Sequence, residues 1–318
     1  MPSEEQSQTN STSNQNDAAN AVYQAAIALG CTIAERQQIH TIFTNRGYTL
    51  PSFCPAGNIL YVNDDATGAN TGSSWTDAFT NLQDALALAN ICPGVTEIWV
   101  ATGTYKPTPT NDRTISFVMK NGVAIYGGFP NTGNPAWVNR NWATNLTTLS
   151  GDIGTAGNGD NSYTVVIGSG TNNTAILDGF TITGGNANSS APGYGNYSGP
   201  TRNGGGMYVG PGSSPTVRNC HFTGNSANVS GGGLALLNPP NTTTVTNCAF
   251  TNNSASEAGG GFSVSNTIFG AGPSLTNCTF YGNTAGAGGA IEVDSSRATV
   301  TNCIIWGNSS GVTWDGSA

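Results

Sequence analysis

The sequence predicts an all-β fold, a right-handed parallel β-helix with an α-helical cap at its N-terminus. Three observations predict it. A segment built around the dipeptide Asn-Cys recurs four times near the end of the chain, with cysteines 28, 30 and 25 residues apart, and self-similarity at such a period is typical of a solenoid. Short alternating strands, separated by Gly, Pro and Asn, fill the chain from residue 58 onward. A helical, Ala-rich segment is confined to the start.

Composition and charge narrow the possible functions. The 318 residues include 44 glycines, only 8% are charged, and the formal net charge is −8. Nucleic acid is not an expected partner, because phosphate binding needs clustered cations and the chain has nine Lys and Arg residues. No apolar run is long enough to span a membrane, and the N-terminal MPSEEQSQTN lacks the basic and apolar regions of a signal peptide.

The chain divides into three regions. Residues 1–16 are polar and low in complexity, which predicts a disordered tail. Residues 17–57 form a predicted helical hairpin, or cap. Its first helix, DAANAVYQAAIAL, ends at Gly30, and a capping box of Thr32 and Glu35 begins a second helix that runs to about Asn45. Residues 58–318 form the predicted β-helix.

The first coils of the β-helix carry an extra helix. ILYVN, EIWVATGTY, ISFVMKNGVAIYGGF and YTVVIG are predicted as short strands. The segment WTDAFTNLQDALALAN keeps four apolar residues on one helical face: Trp75, Phe79, Leu82 and Leu86. We expect this helix to close the end of the solenoid.

The repeat TVTNCAFTNNSASEAGGGFSVS, from Thr244, shows how one coil is built. Strand side chains alternate, so Val245, Cys248 and Phe250 should point inward. Asn247 stands at a bend, where Asn tolerates the left-handed conformation. The glycines at 259–261 allow the next turn. Three short strands per coil result.

Equivalent residues of successive coils should stack. The asparagines are expected to form a ladder of side-chain amides, above a buried column of reduced thiols. The ladder positions are Asn219, Asn247, Asn277 and Asn302, and the thiol positions are Cys220, Cys248, Cys278 and Cys303. A zinc site is not favoured here, because a stacked row does not converge on one point.

Three further cysteines lie near the N-terminus: Cys31, Cys54 and Cys92. A disulfide between two of them fits an oxidising compartment. We favour the pair Cys31–Cys54, and the sequence leaves the other pairings open.

The repeats also carry a resemblance. FTGNSANVSGGGL, FTNNSASEAGGGF and FYGNTAGAGGAI resemble the FxxN and GGA(I/L) repeats of chlamydial polymorphic outer-membrane proteins, and equally those of secreted bacterial right-handed parallel β-helix repeat proteins. The upstream stretches YVNDDATGANTGSSWTDAFTNLQDALALA and LDGFTITGGNAN are similar to the N-terminal half of the second group, so the resemblance covers about residues 58–312. It implies a pectin-lyase-like solenoid that is secreted or lies on a bacterial cell surface. Proteins of this kind are mostly surface adhesins or exported proteins.

The alternative function is a polysaccharide lyase or glycoside hydrolase of the pectate-lyase-like fold. Lyases need a base and usually Ca²⁺, and hydrolases need clustered carboxylates. The β-helix carboxylates Asp178, Glu292 and Asp294 are not expected to meet, and Arg218 should pair with Asp178 in a surface ion pair. We therefore assign no catalytic residue.

A calcium ion is the one cofactor that the sequence makes possible. The Gly-rich loop GDIGTAGNGDN offers oxygen ligands from Asp152, Asn158 and Asp160. Asp64 and Asp65 are a weaker candidate pair of the same kind. A loop held by its own hydrogen bonds is the alternative explanation in both places.

The long insert at residues 186–203 is the candidate ligand site. It carries Tyr194, Tyr197 and Arg202, which suit sugar stacking or protein contact. A neutral surface loop is the alternative.

The leading hypothesis is therefore an extracellular, non-catalytic structural or adhesive module. It would bind a surface glycan or protein, or assemble end to end with copies of itself. Self-assembly is suggested by residues 299–314, a predicted last coil whose strand edge has no visible cap.

Overall fold

The computed structural model describes residues 4–155, 157–190, 199–237, 243–265 and 272–315. Three stacks of parallel strands wrap around one apolar core, and each strand pairs with its equivalents in the neighbouring coils. The predicted right-handed parallel β-helix is confirmed. We call the three stacks sheets A, B and C, in the order in which a coil passes through them.

Sheet A contains β1 (Ile59–Val62), β2 (Glu97–Ala101), β5 (Ala124–Phe129), β8 (Ile176–Asp178), β12 (Thr216–Arg218), β16 (Thr244–Thr246), β20 (Ser274–Thr276) and β23 (Thr299–Thr301). Sheet B contains β3 (Gly103–Tyr105), β6 (Thr147–Ser150), β9 (Thr181–Thr183), β13 (His221–Thr223), β17 (Ala249–Thr251), β21 (Thr279–Tyr281) and β24 (Ile304–Trp306). Sheet C contains β4 (Phe117–Val118), β7 (Val166–Ile167), β11 (Met207–Val209), β15 (Leu234–Leu237), β19 (Phe262–Ser265), β22 (Ile291–Asp294) and β25 (Val312–Asp315). A short fourth sheet holds β10 (Asn186–Ala187), β14 (Ser226–Ala227) and β18 (Ser254–Ala255).

Four described α-helices accompany the sheets: α1 (Glu4–Ala28), α2 (Ile33–Asn45), α3 (Leu82–Ile91) and α4 (Gly199–Arg202). The predicted capping box is confirmed, because the Thr32 hydroxyl accepts from the Glu35 amide and the Glu35 carboxylate accepts from the Thr32 amide. Within the described residues, no helix is both long and apolar enough to cross a membrane.

The core is built from equivalent side chains stacked coil on coil. The rings of Phe222, Phe250 and Phe280 are fully buried and lie face to face, with centroids 4.9 and 4.8 Å apart. Each such ring contributes about 1.5–3 kcal/mol by its removal from water. The coils approach closely at the glycine corner, where a Cβ on Gly261 would lie 2.6 Å from the Ala290 carbonyl oxygen.

The N-terminal region differs from the prediction. α1 begins at Glu4, so the expected disordered tail over residues 1–16 is helical from residue 4 onward. Ala19, Tyr23 and Ala26 are buried on this helix, and their packing anchors it. Once a helix is nucleated, each further residue that is fixed adds one backbone hydrogen bond. The polar residues that precede Ala19 can therefore continue the helix toward the N-terminus.

The predicted helix around residue 80 is shorter than expected. α3 begins at Leu82, because the Asn81 side chain caps it by accepting from the Asp84 amide at 2.8 Å. Phe79 instead pairs its backbone with Tyr61 of β1. Leu82 and the inward face of α3 pack into the core beside β1 and so close the end of the solenoid.

The disulfide prediction was wrong. Cys54 bonds to Cys92, with Cα atoms 5.5 Å apart, and Cys31 is a free thiol. Cys92 is the C-cap residue of α3. The segment that follows α2 brings Cys54 next to it. Cys31 lies in the turn between α1 and α2, where its carbonyl accepts from the buried Arg36.

Candidate functional site

The predicted asparagine row lies at the bend between sheets A and B. Asn219, Asn247, Asn277 and Asn302 all take left-handed backbone conformations, with φ between 53° and 55°. The Asn247 amide donates to Asn219 Oδ1 at 3.4 Å, and the Asn277 amide donates to Asn247 Oδ1 at 3.2 Å. We call Asn219, Asn247 and Asn277 the exposed ladder, because they border solvent.

A groove of about 420 Å³ runs beside the exposed ladder. Its wall is formed by Trp142, Ala143 and Leu146, and its floor by Phe180, Thr181, Asn219, Cys220, His221, Asn247, Cys248, Ala249, Asn277 and Thr279. We call it the ladder groove. Trp142 is 42% exposed and Leu146 is 56% exposed, although both are large and apolar. Among the described residues that line the groove, none is acidic, and none is Lys or Arg.

The wall is part of the excursion at residues 130–146 between β5 and β6. The Arg140 guanidinium anchors it by donating to the Gly127 carbonyl at 2.6 Å. Gly128 has φ 94°, and a Cβ there would lie 2.7 Å from the Trp142 backbone. The glycine therefore allows Trp142 to approach the coil and lean over the groove.

His221 supplies an uncharged ring to the floor. Its Nε2 lies 2.7 Å from the Thr251 hydroxyl, which donates its own proton to the Thr223 hydroxyl at 3.0 Å. The tautomer that fits this arrangement has Nε2 donating to the Thr251 hydroxyl and Nδ1 as an acceptor. Burial lowers the pKa of His221, so the ring is neutral at pH 7.

Asp178 lies at the start of the exposed ladder. Its Oδ1 accepts from Arg140 Nη2 at 2.6 Å and from Asn219 Nδ2 at 2.8 Å, and its Oδ2 accepts from Arg218 Nε at 2.6 Å. The expected pair with Arg218 is confirmed, but it is not a surface pair, because the carboxylate is buried. Arg140 was not identified from the sequence as a second arginine partner of Asp178. Asp178 therefore connects the excursion that carries Arg140, sheet A and the first ladder residue, Asn219.

The other β-helix carboxylates lie elsewhere. Ile291 and Val293 point into the core, so Glu292 and Asp294 point out of sheet C. Glu292 accepts from the Ser263 hydroxyl at 2.6 Å. Asp178 lies on sheet A, so the structure does not bring the three candidates together.

The thiol column lies beneath the exposed ladder. Cys220, Cys248, Cys278 and Cys303 are free thiols, and the first three are buried. The Cys278 amide donates to Cys303 Sγ at 3.4 Å. Burial raises the pKa of Cys248 well above its usual range, so this thiol is protonated and weakly nucleophilic at neutral pH.

A second asparagine ladder, which sequence reasoning missed, lies at the next corner of each coil. We call it the buried ladder: Asn225, Asn253, Asn283 and Asn308. The amide nitrogens of the first three donate to the next Oδ1 at 2.9–3.0 Å and also to a backbone carbonyl of the preceding coil. The signal was present in the sequence, since each of these asparagines follows a repeat cysteine by five positions.

The candidate calcium ligands Asp152, Asn158 and Asp160 each make contacts within the protein. Asp152 lies 3.9 Å from Lys106 Nζ. Asp160 accepts from the Thr155 amide and hydroxyl, which lowers its pKa, and Asn158 accepts through its backbone carbonyl. In the part of the chain that the structure describes, no three His, Cys, Asp or Glu side chains are grouped as metal ligands. Calcium binding by this loop stays a prediction.

The predicted ligand residues of the insert are only partly described. Tyr194 and Tyr197 lie outside the described residues. Arg202 ends α4, and its Nε is buried without a hydrogen bond in the described structure. The ladder groove is therefore the better-defined candidate site.

Comparison with known protein families places the second half of the chain in a family. A family model described as "Right handed beta helix region" matches residues 157–318. Neither the curated proteins nor the solved structures yielded a match. The matched residues include the floor of the ladder groove but not its Trp142 wall.

Proposed function

Because the chain belongs to the right-handed β-helix family, we propose that it is an extracellular adhesive module that binds a surface glycan in the ladder groove without cleaving it. The observation that carries the proposal is the lining of that groove. Trp142 offers an aromatic surface beside a row of amides and hydroxyls. Sugars present the same combination, since their rings have apolar faces and their hydroxyls both donate and accept.

The exposed ladder keeps part of its hydrogen-bonding capacity for a ligand. An amide side chain has two donors and can accept two hydrogen bonds. Within the ladder, Asn247 uses one donor toward Asn219 and one acceptor position toward Asn277. Its second donor and second acceptor position remain for sugar hydroxyls.

A non-catalytic role is supported by the placement of the carboxylates. Hydrolysis of a glycosidic bond needs two carboxyl groups that flank the bond. Among the described residues, the groove lining contains none, and the nearby Asp178 is paired with Arg140 and Arg218.

The extracellular location is supported by the Cys54–Cys92 disulfide, which persists in oxidising compartments. The finer resemblance to polymorphic outer-membrane repeats is part of the same proposal. The FxxN asparagines that would carry it, such as Asn253, form the buried ladder.

Retention on immobilised polysaccharides tests the proposal. The panel would contain cellulose, β-1,3-glucan, β-1,4-mannan, chitin and polygalacturonate. We expect at least one neutral member to retain the protein, and Trp142→Ala to abolish retention. Val138→Ala is the matched control, because Val138 belongs to the same excursion and is 86% exposed outside the groove lining.

The same incubations separate binding from catalysis. Release of reducing ends or unsaturated products would replace the proposal with a lyase or hydrolase. Retention that Trp142→Ala leaves unchanged would move the binding site away from the ladder groove. Sedimentation over a range of protein concentrations tests self-association as the rival adhesive mode.

A further inference from the structure

We propose that the ladder groove continues along sheet B to a second aromatic contact, Tyr281 with Trp306, and that its ligand is an extended, uncharged glycan chain lying parallel to the β-helix axis. The inference rests on the proposed function and adds the ligand's charge, direction and minimum length.

The second contact lies on the same outward face as the groove floor. Tyr281 and Trp306 occupy equivalent positions of β21 and β24, and their rings stack with centroids 5.3 Å apart and planes 12° apart. Both are exposed, Tyr281 by 46% and Trp306 by 70%. Thr279, which lines the groove, stands two positions before Tyr281 on the same face of β21. The aromatic pair is therefore continuous with the groove.

The row of residues that leads to Tyr281 leaves room for a ligand. Thr183, Thr223 and Thr251 precede Tyr281 at the same register position of successive coils. Trp306 covers one face of the Tyr281 ring, and the residue on its other side is the small Thr251. The second ring face of Tyr281 thus looks along the groove toward Trp142.

The distance between the two aromatic contacts sets the length of the ligand. Trp142 lines the groove together with Thr181 of β9, and β21 lies three coils further along. At about 4.8 Å per coil, the two contacts are about 14 Å apart along the axis. One sugar of an extended chain is about as long as one coil spacing, so a ligand needs about four sugars to reach both contacts.

The groups between the two contacts favour a neutral chain. His221 is neutral at pH 7 because burial lowers its pKa, and its Nδ1 is an acceptor. Thr251 and the exposed ladder add hydroxyl and amide groups. A charged sugar would lose water here and find no opposite charge among the described lining residues.

A peptide ligand is less suited to this surface. Extended peptides bind by adding a strand to an open sheet edge. The strands of sheet B from β9 to β21 are paired on both sides, so this face presents only side chains.

The test compares oligosaccharide length with the two aromatic contacts. Trimers and hexamers from cellulose, β-1,3-glucan, β-1,4-mannan, chitin and polygalacturonate would be titrated by calorimetry against the full chain, Trp142→Ala, Tyr281→Ala, Trp306→Ala and the control Val138→Ala. We expect the hexamer of one series to bind about tenfold more tightly than its trimer. Trp142→Ala should weaken both, and Tyr281→Ala should remove only the advantage of the hexamer, because the ligand contacts the Tyr281 ring face that Trp306 does not cover.

Each outcome separates this inference from the proposed function. If Trp142→Ala weakens binding but Tyr281→Ala leaves hexamer affinity unchanged, the extension is wrong and the proposed function stands. If Trp306→Ala instead changes the sedimentation of the protein, the aromatic pair is a protein contact and the extension is wrong. Tighter binding of hexagalacturonate than of every neutral hexamer would contradict the proposal that the ligand is uncharged. Absence of binding in every series overturns both proposals.

Discussion

The two asparagine ladders use the same side chain for different purposes. In the buried ladder, Asn253 is fully buried; its amide donates to the Phe222 carbonyl and to Asn283 Oδ1, and its Oδ1 accepts from the backbone and side chain of Asn225. In the exposed ladder, Asn247 makes two longer amide contacts and borders the groove.

The difference shows what each row contributes. A buried amide left without partners costs about 1–3 kcal/mol for each unmade hydrogen bond, so the buried ladder must satisfy itself within the protein. An exposed amide exchanges its partners with water at little net cost. The exposed ladder can therefore offer half of its hydrogen-bonding groups to a ligand, while the buried ladder stabilises the stack of coils.

The largest expected effect is on the buried ladder. Asn253→Ala should lower the free energy of unfolding by about 4 kcal/mol. The substitution leaves the Asn225 donors and the Phe222 carbonyl without their hydrogen-bond partner, and it also leaves a cavity. Urea unfolding followed by circular dichroism measures this change. A loss below about 1 kcal/mol would contradict the role assigned to the ladder.

A smaller effect is expected on the exposed ladder. Asn247→Gly keeps the left-handed backbone conformation, so it should lower the free energy of unfolding by less than about 1 kcal/mol. It should still weaken glycan retention, because the groove loses one amide. The same urea series, with retention on the selected polysaccharide, compares it with Asn253→Ala. Equal destabilisation by the two variants would remove the distinction between the ladders.

The smallest expected effect is pH-dependent and arises at His221, in the floor of the groove. Because burial lowers the pKa of His221 in the folded protein, the unfolded chain binds the proton first as pH falls. Stability should therefore be unaffected by His221 above its ordinary pKa of about 6.5, and should decline below it, through the lower pKa of the folded state. Glycan binding should weaken over the same range, since the protonated ring is charged and loses its Nδ1 acceptor.

His221→Gln isolates this contribution, because it removes the titrating group and keeps an amide donor. We expect the difference between the urea midpoints of the wild-type protein and the variant to change between about pH 7.5 and about pH 5. A difference that stays constant over that range would show that His221 is not the titrating group.

Much of one coil could be predicted from the sequence because its causes are local. Alternation along a strand places Val245, Cys248 and Phe250 inward, and a left-handed bend favours Asn at 247. The buried ladder was equally regular, but Asn253 was interpreted as a corner residue only. Its stacking contacts depend on the neighbouring coils.

The errors arose where residues distant in sequence meet. The spacing of three cysteines does not say which two approach, and the path of the chain past the end of α3 placed Cys54 on Cys92. The apolar period from Trp75 to Leu86 predicted one helix, but only α3, from Leu82, is helical, because the backbone of Phe79 pairs with β1 instead.

The sequence by itself determined that this protein is a β-helix, because the repeat imposes the same turns, inward residues and stacked pairs on every coil. Only the tertiary structure decided which asparagine row faces the core and which faces solvent. It also decided that Trp142, from an earlier excursion, leans over the coils that carry His221 and Asn247. That arrangement depends on contacts between coils, and no local pattern in the chain encodes it.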